Sequence, residues 1–289
     1  MKYNIAVDYK DNSVLRKSFN ELTKKTYGFQ FEEWYQNGYW SDTYRPYSIV
    51  DGEKIVANVS VNIMDFVLDG HRKHFIQLGT VMTDKDYRGK GLSRYLIEKI
   101  ISEWVDKVDG IYLFANDSVL EFYPKFGFVE SKEYQYKYKI NGIDNTKKYT
   151  KVNMKEEESR NKFIKANIGN TLNARLAVEN LGLIMFYTTS FMSESVYFLP
   201  EENSYVIADI NEDNIFIHQI ISDEKMNIYN IINSFGSNIK EVVLGFTPLE
   251  TDGFIVEERK EEDTTLFILG SDLKAIEKEQ LMFPTLSHA

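Results

Sequence analysis

The stretch Tyr87-Arg88-Gly89-Lys90-Gly91-Leu92-Ser93 constrains this chain more than any other. It follows an apolar run, rich in Val and Ile, that ends at Thr83. It precedes a run in which Leu92, Tyr95, Leu96, Ile100, Ile101 and Trp104 recur at helical spacing. A strand, a glycine turn and a long helix in that order leave several backbone N–H groups pointing out of a helix N-terminus, which is an anion site. Gly89 and Gly91 let the backbone approach a phosphate closely, while Arg88, Lys90 and Arg94 can add charge from the side. The turn is not a Walker loop, because Gly91 follows Lys90 where that loop needs Ser or Thr. Its two glycines also do not match a dinucleotide fingerprint.

The elements around the turn narrow the fold further. After one short strand, Asn12 and Ser13 can cap a helix running through Val14, Leu15, Phe19, Leu22 and Tyr27, and a short aromatic helix around Trp34 and Tyr35 follows Gly28. From Tyr44 to Thr83 the pattern predicts three antiparallel strands, broken at Asp51-Gly52 and Asp69-Gly70. Downstream of the long helix, Ile111 to Ala115 reads as a buried strand. Asp117 or Ser118 caps a helix that carries Leu120, Phe122 and Tyr123 and ends near Gly127. Alternation of Tyr134, Tyr136 and Tyr138 with polar neighbours predicts one strand from Phe128 to Ile140, and the polar stretch Asn141 to Asn145 predicts a turn and a domain boundary.

Beyond it the order repeats: two helices, strands at 195–199, 205–209 and 215–221, a helix over about 225–235, and strands at 241–246, 254–258 and 265–269. A local echo supports the repeat, since Phe126-Gly127-Phe128-Val129-Glu130 recurs as Asp252-Gly253-Phe254-Ile255-Val256-Glu257. At 289 residues the chain is comfortable as two units. The reading is a first domain over 1–142 and a smaller second domain over 150–289.

Composition excludes several classes. With no cysteine there are no disulfides, thiolate metal sites or thiol nucleophile, and a reducing compartment is the default. The N-terminus lacks the apolar run of a signal peptide and no stretch approaches the roughly 18 uncharged residues of a membrane span, so the chain reads as cytoplasmic. Up to Thr150 there are 22 Lys+Arg against 21 Asp+Glu, and afterwards 12 against 23. That acidic second half would repel a nucleic-acid backbone; it suits a cationic substrate, or mere solubility. His71, His74 and His218 show no metal-ligand spacing, and no metal is expected.

The order strand, two helices, three antiparallel strands, Arg88-x-x-Gly91-x-Ser93, long helix, strand, then Phe122-Tyr123-Pro124-Lys125-Phe126-Gly127-Phe128 resembles the GNAT superfamily of N-acetyltransferases over roughly residues 1 to 140. Ser93 departs from the usual Gly or Ala but is small. The resemblance implies an α/β (α+β) fold: a mixed, mostly antiparallel central sheet flanked by helices, with a second, smaller GNAT-like α/β domain. It implies acetyl-CoA as co-substrate, its pyrophosphate on the backbone of Arg88, Gly89, Lys90, Gly91, Leu92, Ser93 and Arg94 and its pantetheine arm along Val81, Met82 and Thr83. Asn116 corresponds to a position that hydrogen-bonds the pantetheine or thioester region. Tyr123 corresponds to the general acid that protonates the departing thiolate, its phenol of about 10 being matched by local environment to a thiol of about 8.5.

The aromatic set Phe29, Phe31, Trp34, Tyr35, Tyr39, Trp40, Tyr44 and Tyr47 lies where GNAT proteins build the acceptor wall, with Glu32, Glu33 and Asp42 nearby. It reads either as an acceptor pocket, in which Glu32, Glu33, Trp34, Tyr39, Trp40 and Asp42 hold the amine, or as a core seam. Within the superfamily the chain resembles the enhanced-intracellular-survival type, a catalytic GNAT domain followed by a degenerate copy. The second half indeed lacks an Arg-x-x-Gly-x-Gly turn, and the chain is too short for that group's third, sterol-carrier-like domain. In that group the terminal carboxylate reaches the cleft and helps deprotonate the acceptor, so the resemblance implies a catalytic role for Ala289. Two functions stay open: direct acetyl transfer to a primary amine, small or peptidic, and a silent acetyl-CoA-binding sensor or scaffold. Either is compatible with a homo-oligomer.

Overall fold

A computed structural model describes residues 3–140, 148–168, 170, 173–236 and 238–288. Strand β1 (Asn4–Val7) leads into α1 (Ser13–Tyr27), whose N-cap Asn12 accepts from the amides of Val14 and Leu15 and whose last turn closes on Gly28 at φ +85°. Next come α2 (Glu32–Gln36), β2 (Tyr44–Asp51), β3 (Lys54–Leu68) and β4 (His71–Thr83). Between β3 and β4, Asp69 and Gly70 take φ of +46° and +83°, the left-handed pair that matches the twist of a hairpin. The first half closes with α3 (Leu92–Trp104), β5 (Gly110–Ala115), β6 (Val129–Glu130) and β7 (Tyr134–Lys139). The second half contains β8 (Thr150–Lys151), α4 (Glu157–Ile168), β9 (Leu176–Val178), α5 (Leu181–Thr189), β10 (Val196–Leu199), β11 (Ser204–Ile210), β12 (Asn214–Ile221), α6 (Ile228–Asn233), β13 (Glu241–Leu244), β14 (Ile255–Glu258), β15 (Thr265–Leu269) and α7 (Ala275–Lys278).

The strands form two mixed, mostly antiparallel sheets flanked by helices, as two GNAT-like units would. The first runs β1-β2-β3-β4-β5-β15-β6 with β9 added on β3; the second runs β14-β7-β13-β12-β11-β10-β8. Each contains a parallel pair at the corresponding place, β4 with β5 and β12 with β13. The halves exchange one strand each. Strand β15 lies between β5 and β6, and β7 lies between β13 and β14. The echoed segments are equivalent in space too: Gly127 and Gly253, at φ +89° and +77°, precede β6 and β14, the outermost strands of their sheets. A cut at 142 therefore does not separate the sheets, and residues 141–147 lie outside the described residues.

Three local expectations change. The single strand over 128–140 is two strands, because the chain leaves the first sheet after β6 and crosses to the second through Ser131–Glu133. There the buried Glu133 carboxylate accepts from Arg259 (3.2 Å) and from the amide of Phe283 (2.7 Å). The helix over 117–127 is two 3₁₀ turns, Asp117–Val119 and Tyr123–Phe126: Pro124 lacks an N–H, Asn116 makes no side-chain cap bond, and the amide of Asp117 donates to Asp263 Oδ1 instead (2.7 Å). The third helix of the second half is shorter than 225–235, opening at the Asn227 cap.

Helix α3 packs Leu96, Ile97 and Ile100 onto the first sheet, and α6 packs Ile231 and Ile232 onto the second. The C-terminal segment wedges between the sheets. Phe283 stacks on Tyr112 of β5 at 4.0 Å, while the amides of Met282 and Thr285 bond Thr247 and Gly245 after β13. Leu281, Met282, Phe283 and Leu286 are fully buried, each contributing on the order of 2 kcal/mol. Among the described residues no helix is long and apolar enough to cross a membrane.

Candidate active site

Strand β4 pairs with β5 only over Phe75–Gln77 against Gly110–Tyr112. Beyond that the two strands part, leaving the edge of Leu78–Thr83 facing a cleft of about 1160 Å³ instead of a strand. A segment carrying amides could add itself there as a further strand. The register between β3 and β4 also slips between Asn58 and Ser60, opposite Thr80, which sits at φ +48°. That strained conformation costs on the order of 1 kcal/mol and is over-determined by neighbours. The Asn58 amide donates to the Thr80 carbonyl and to Ser60 Oγ (both 2.9 Å), Ser60 donates to the Tyr44 hydroxyl (2.9 Å), and that hydroxyl meets Thr80 Oγ1 at 2.8 Å. Ser48 and the Tyr9 hydroxyl extend the buried network behind Asn58.

At the far end of β4 the glycine turn reaches α3. Gly89 and Gly91 adopt φ of +75° and +72° with open space where a Cβ would stand, and Gly91 is the N-cap with no side-chain capping bond. Thus the first-turn amides of Leu92, Ser93 and Arg94 face the cleft uncapped, as an anion would require. Ser93 Oγ bonds Thr83 Oγ1 at 2.7 Å and Arg88 Nε reaches the Thr83 carbonyl at 3.3 Å, so the turn is tied to the strand it follows. The cleft is lined by Val81, Met82, Thr83, Arg88, Gly89, Gly91, Leu92, Ser93 and Arg94. Lys90 is not among the lining residues: its ammonium donates to the Asp86 carbonyl and lies 4.4 Å from the centre of the Tyr87 ring. Lys125, not anticipated, is a lining residue.

Across the cleft, the buried Tyr123 packs against Phe122, Phe128 and Phe267. Its hydroxyl has no hydrogen-bond partner among the described residues. Burial, with a smaller contribution from Tyr27, pushes the phenol up to about 12, away from a thiol rather than towards it. Tyr123 therefore holds its proton firmly. Asn116 lines the cleft, but its amide donates to Asp263 Oδ2 (2.8 Å) and the Asp263 carbonyl, leaving only its oxygen to offer. Tyr27, whose own hydroxyl is pushed up to about 12 by burial, donates to the Val81 carbonyl at 2.8 Å.

Of the residues expected to hold an amine, only Trp34 lines the cleft. Glu32 instead pairs with Arg16 (3.0 Å) and accepts from Asn20 and Gln36; burial alone would raise its carboxyl, but Gln36 and Arg16 outweigh it and hold it low. Glu33 is exposed elsewhere, and Asp42 pairs with Lys10, whose bond keeps it ionised. Trp40 is buried with its indole N–H on the Tyr44 carbonyl, and Tyr39 packs between two core clusters. Their places are taken by residues of α5 and the turn after it, Leu183, Phe186, Tyr187 and Phe191, docked by a bond from Trp34 Nε1 to the Gly182 carbonyl (2.8 Å). No periodic signal could have found them, since α5 is apolar all round, the pattern of any buried helix. The C-terminus does approach the site: the His288 ring stacks on Phe114 at 3.8 Å and Tyr187 donates to its carbonyl, both partners lining the cleft. Ala289 itself lies outside the described residues.

Residues 15–128 match the model of the Acetyltransferase (GNAT) family. Similar solved structures include a conserved protein of unknown function from Enterococcus faecalis V583, described as a probable N-acyltransferase, at TM-score 0.59 and 16% identity over 93% of this chain and 72% of that one. A GCN5-related N-acetyltransferase from Kribbella flavida gives 0.55 and 12% over 92% and 71%, and Eis1 from Mycobacterium abscessus gives 0.53 and 10% over 91% and 72%. At these identities the likeness is one of fold, and it spans both halves of the chain. No curated protein sequence matches.

Proposed function

Starting from a chain that carries a GNAT-family acetyltransferase domain over residues 15–128, we propose an N-acetyltransferase that moves an acetyl group from acetyl-CoA to a primary amine by direct transfer in a ternary complex. One observation carries the reading: the splayed edge of β4, the uncapped N-terminus of α3 and the Tyr123 hydroxyl open into one continuous cleft. The open space at Gly89 and Gly91 and the free amides of Leu92, Ser93 and Arg94 fit a pyrophosphate, with Arg88, Arg94 and Lys125 beside it. The edge of Val81, Met82 and Thr83 fits an extended arm that carries amides. Bound acetyl-CoA would supply the activated acyl carbon.

In the transfer, the amine nitrogen forms a bond to that carbon as the carbon–sulfur bond breaks. Tyr123 gives sulfur its proton, and the amine surrenders one to a base. With no cysteine in the chain, an acyl-thiol enzyme is not a route. The alternative of a silent acetyl-CoA sensor would keep the turn and the strand edge, and has no need of an undonated phenol in the cleft wall. The test is free-thiol release from acetyl-CoA with a panel of amines, alongside calorimetric binding of acetyl-CoA. Binding without release by any amine would leave the sensor standing and end the transferase reading.

A further inference from the structure

Among the described residues, the wall of the cleft that the two halves share is aromatic. Phe29, Phe31, Trp34 and Tyr44 of the first half meet Phe186 and Phe191 of the second, with Phe186 stacked on Phe31 at 5.2 Å and 5.5 Å from Trp34. Among the described lining residues the acids are Asp117 and Glu121, both on the segment that follows β5 and Asn116, and neither on the elements that carry the aromatic rings. The nearest acids in sequence, Glu32, Glu33 and Asp42, are turned elsewhere, as described above.

A polyamine or an aminosugar brings several ammonium groups, each of which loses hydration on entry and needs a carboxylate to offset the loss. Phe29, Phe31, Trp34, Tyr44, Phe186 and Phe191, the described residues of this wall, have none to give. It offers aromatic faces, which recover free energy from an apolar body and accept at most one cation over a ring. Phe191 sharpens the point: it is 61% exposed, standing edge-on to Phe29 (5.5 Å) and Phe186 (5.8 Å) at the rim. A large exposed aromatic ring continuous with a cleft is the signature of a surface awaiting a ligand.

We propose that the acceptor is a monoamine on an aromatic or aliphatic body, gripped by Phe29, Phe31, Trp34, Phe186 and Phe191, so that the second half sets acceptor preference. This rests on the acetyl-transfer reading for its chemistry, but its binding claim can be tested apart from turnover. The probes are 2-phenylethylamine and hexylamine against spermidine and kanamycin, each titrated calorimetrically into the protein with CoA and assayed for thiol release with acetyl-CoA.

The apolar monoamines should bind at least tenfold more tightly than spermidine and give the higher kcat/KM. Phe191→Ser, at an exposed position that leaves the core intact, should raise their KM roughly fivefold or more without moving the Kd of acetyl-CoA. Phe191→Glu, which plants the missing carboxylate, should shift the ratio of kcat/KM towards spermidine by tenfold or more. Tight binding of 2-phenylethylamine without thiol release would uphold the acceptor wall and end the transferase reading. Preference of the wild-type protein for spermidine or kanamycin, or an unchanged ratio in Phe191→Glu, would overturn the wall while leaving acetyl transfer in place.

Discussion

Replacing Gly91 by Glu separates the strain of the turn from its affinity for an anion. Gly91 sits at φ +72°, so any side chain there incurs the left-handed penalty of about 1–2 kcal/mol. Nothing stands within 4 Å of an added Cβ, so no clash adds to it and the variant should fold. Binding is a different matter. A carboxylate roughly 6 Å from one pyrophosphate charge, at an effective dielectric of about 20, repels it by about 3 kcal/mol, or on the order of 100-fold in Kd. Gly91→Ala carries the strain without the charge. Gly70→Glu carries both at the opposite end of β4, where φ is +83° and the space is equally open. Calorimetry with acetyl-CoA at low and moderate salt should rank Gly70→Glu with wild type, Gly91→Ala slightly weaker and Gly91→Glu at least 100-fold weaker, with the last gap narrowing as salt rises. If folded Gly91→Glu binds within twofold of wild type, the turn is not the pyrophosphate site.

Tyr123→Phe should keep acetyl-CoA affinity and lose roughly 100-fold in kcat, as removal of a general acid does; equal turnover from pH 6 to 9 would reduce Tyr123 to packing. Burial raises the Glu133 carboxyl from its ordinary 4.5 to about 7, so the folded chain binds that proton more tightly than the unfolded chain. Its stabilising contribution is thus complete below about pH 4.5 and fades as pH rises through 7. At about 1.4 kcal/mol per tenfold change in proton affinity, urea unfolding of Glu133→Gln should gain about 3 kcal/mol on wild type between pH 4.5 and 8, and a pH-independent difference would refute the burial argument. Finally, residues 1–140 expressed alone should form no cooperatively folding monomer, whereas co-expression with 148–289 should restore acetyl-CoA binding. A stable monomeric fragment with wild-type affinity would show that β15 is dispensable.

What the sequence made legible follows from which interactions are local. The Asn12 cap, the Gly28 stop, the Asp69-Gly70 turn and the glycine turn before α3 each depend on a few neighbouring residues, and each lies where the pattern puts it. The strand edge and glycine turn that line one part of the cleft were readable for the same reason, since each is built from contiguous residues. The aromatic wall was not. Glu32 stands beside Trp34 in sequence, yet Arg16, Asn20 and Gln36 claim its carboxylate, and Phe186 arrives from a helix about 150 residues away. Equally hidden was the role of Ser48, Asn58 and Ser60, since alternation of polar residues with Val and Ile does not show whether the polar face is wet. In fact they are fully buried, and with Tyr44 they hold Thr80 in its strained conformation at the cleft.

The strand exchange explains why the two halves cannot be weighed as a working domain and a spent copy. Local alternation shows that Tyr134–Lys139 is a strand but not which sheet receives it, and the two exchanged strands are not interchangeable. In β15, Leu266, Phe267 and Ile268 are all buried, filling both faces of the first sheet between β5 and β6. In β7, Tyr136 alone is buried, while lysines alternate with tyrosines on a wetter surface. Tyr136 and Tyr138 pack under α6 as Phe267 packs under α3, so folding β7 back beside β5 in the same orientation would bring charged Lys137 into the layer that Leu266 and Ile268 now occupy, which desolvation opposes. Phe267 also packs on Tyr123, its ring centre 5.9 Å away, so the wall behind the proposed acid is supplied by the second half. Helix α5 adds Leu183, Phe186 and Tyr187 to the cleft lining, and His288 backs Phe114 of that lining. A half without a glycine turn of its own thus supplies side chains that line and back the cleft of the other.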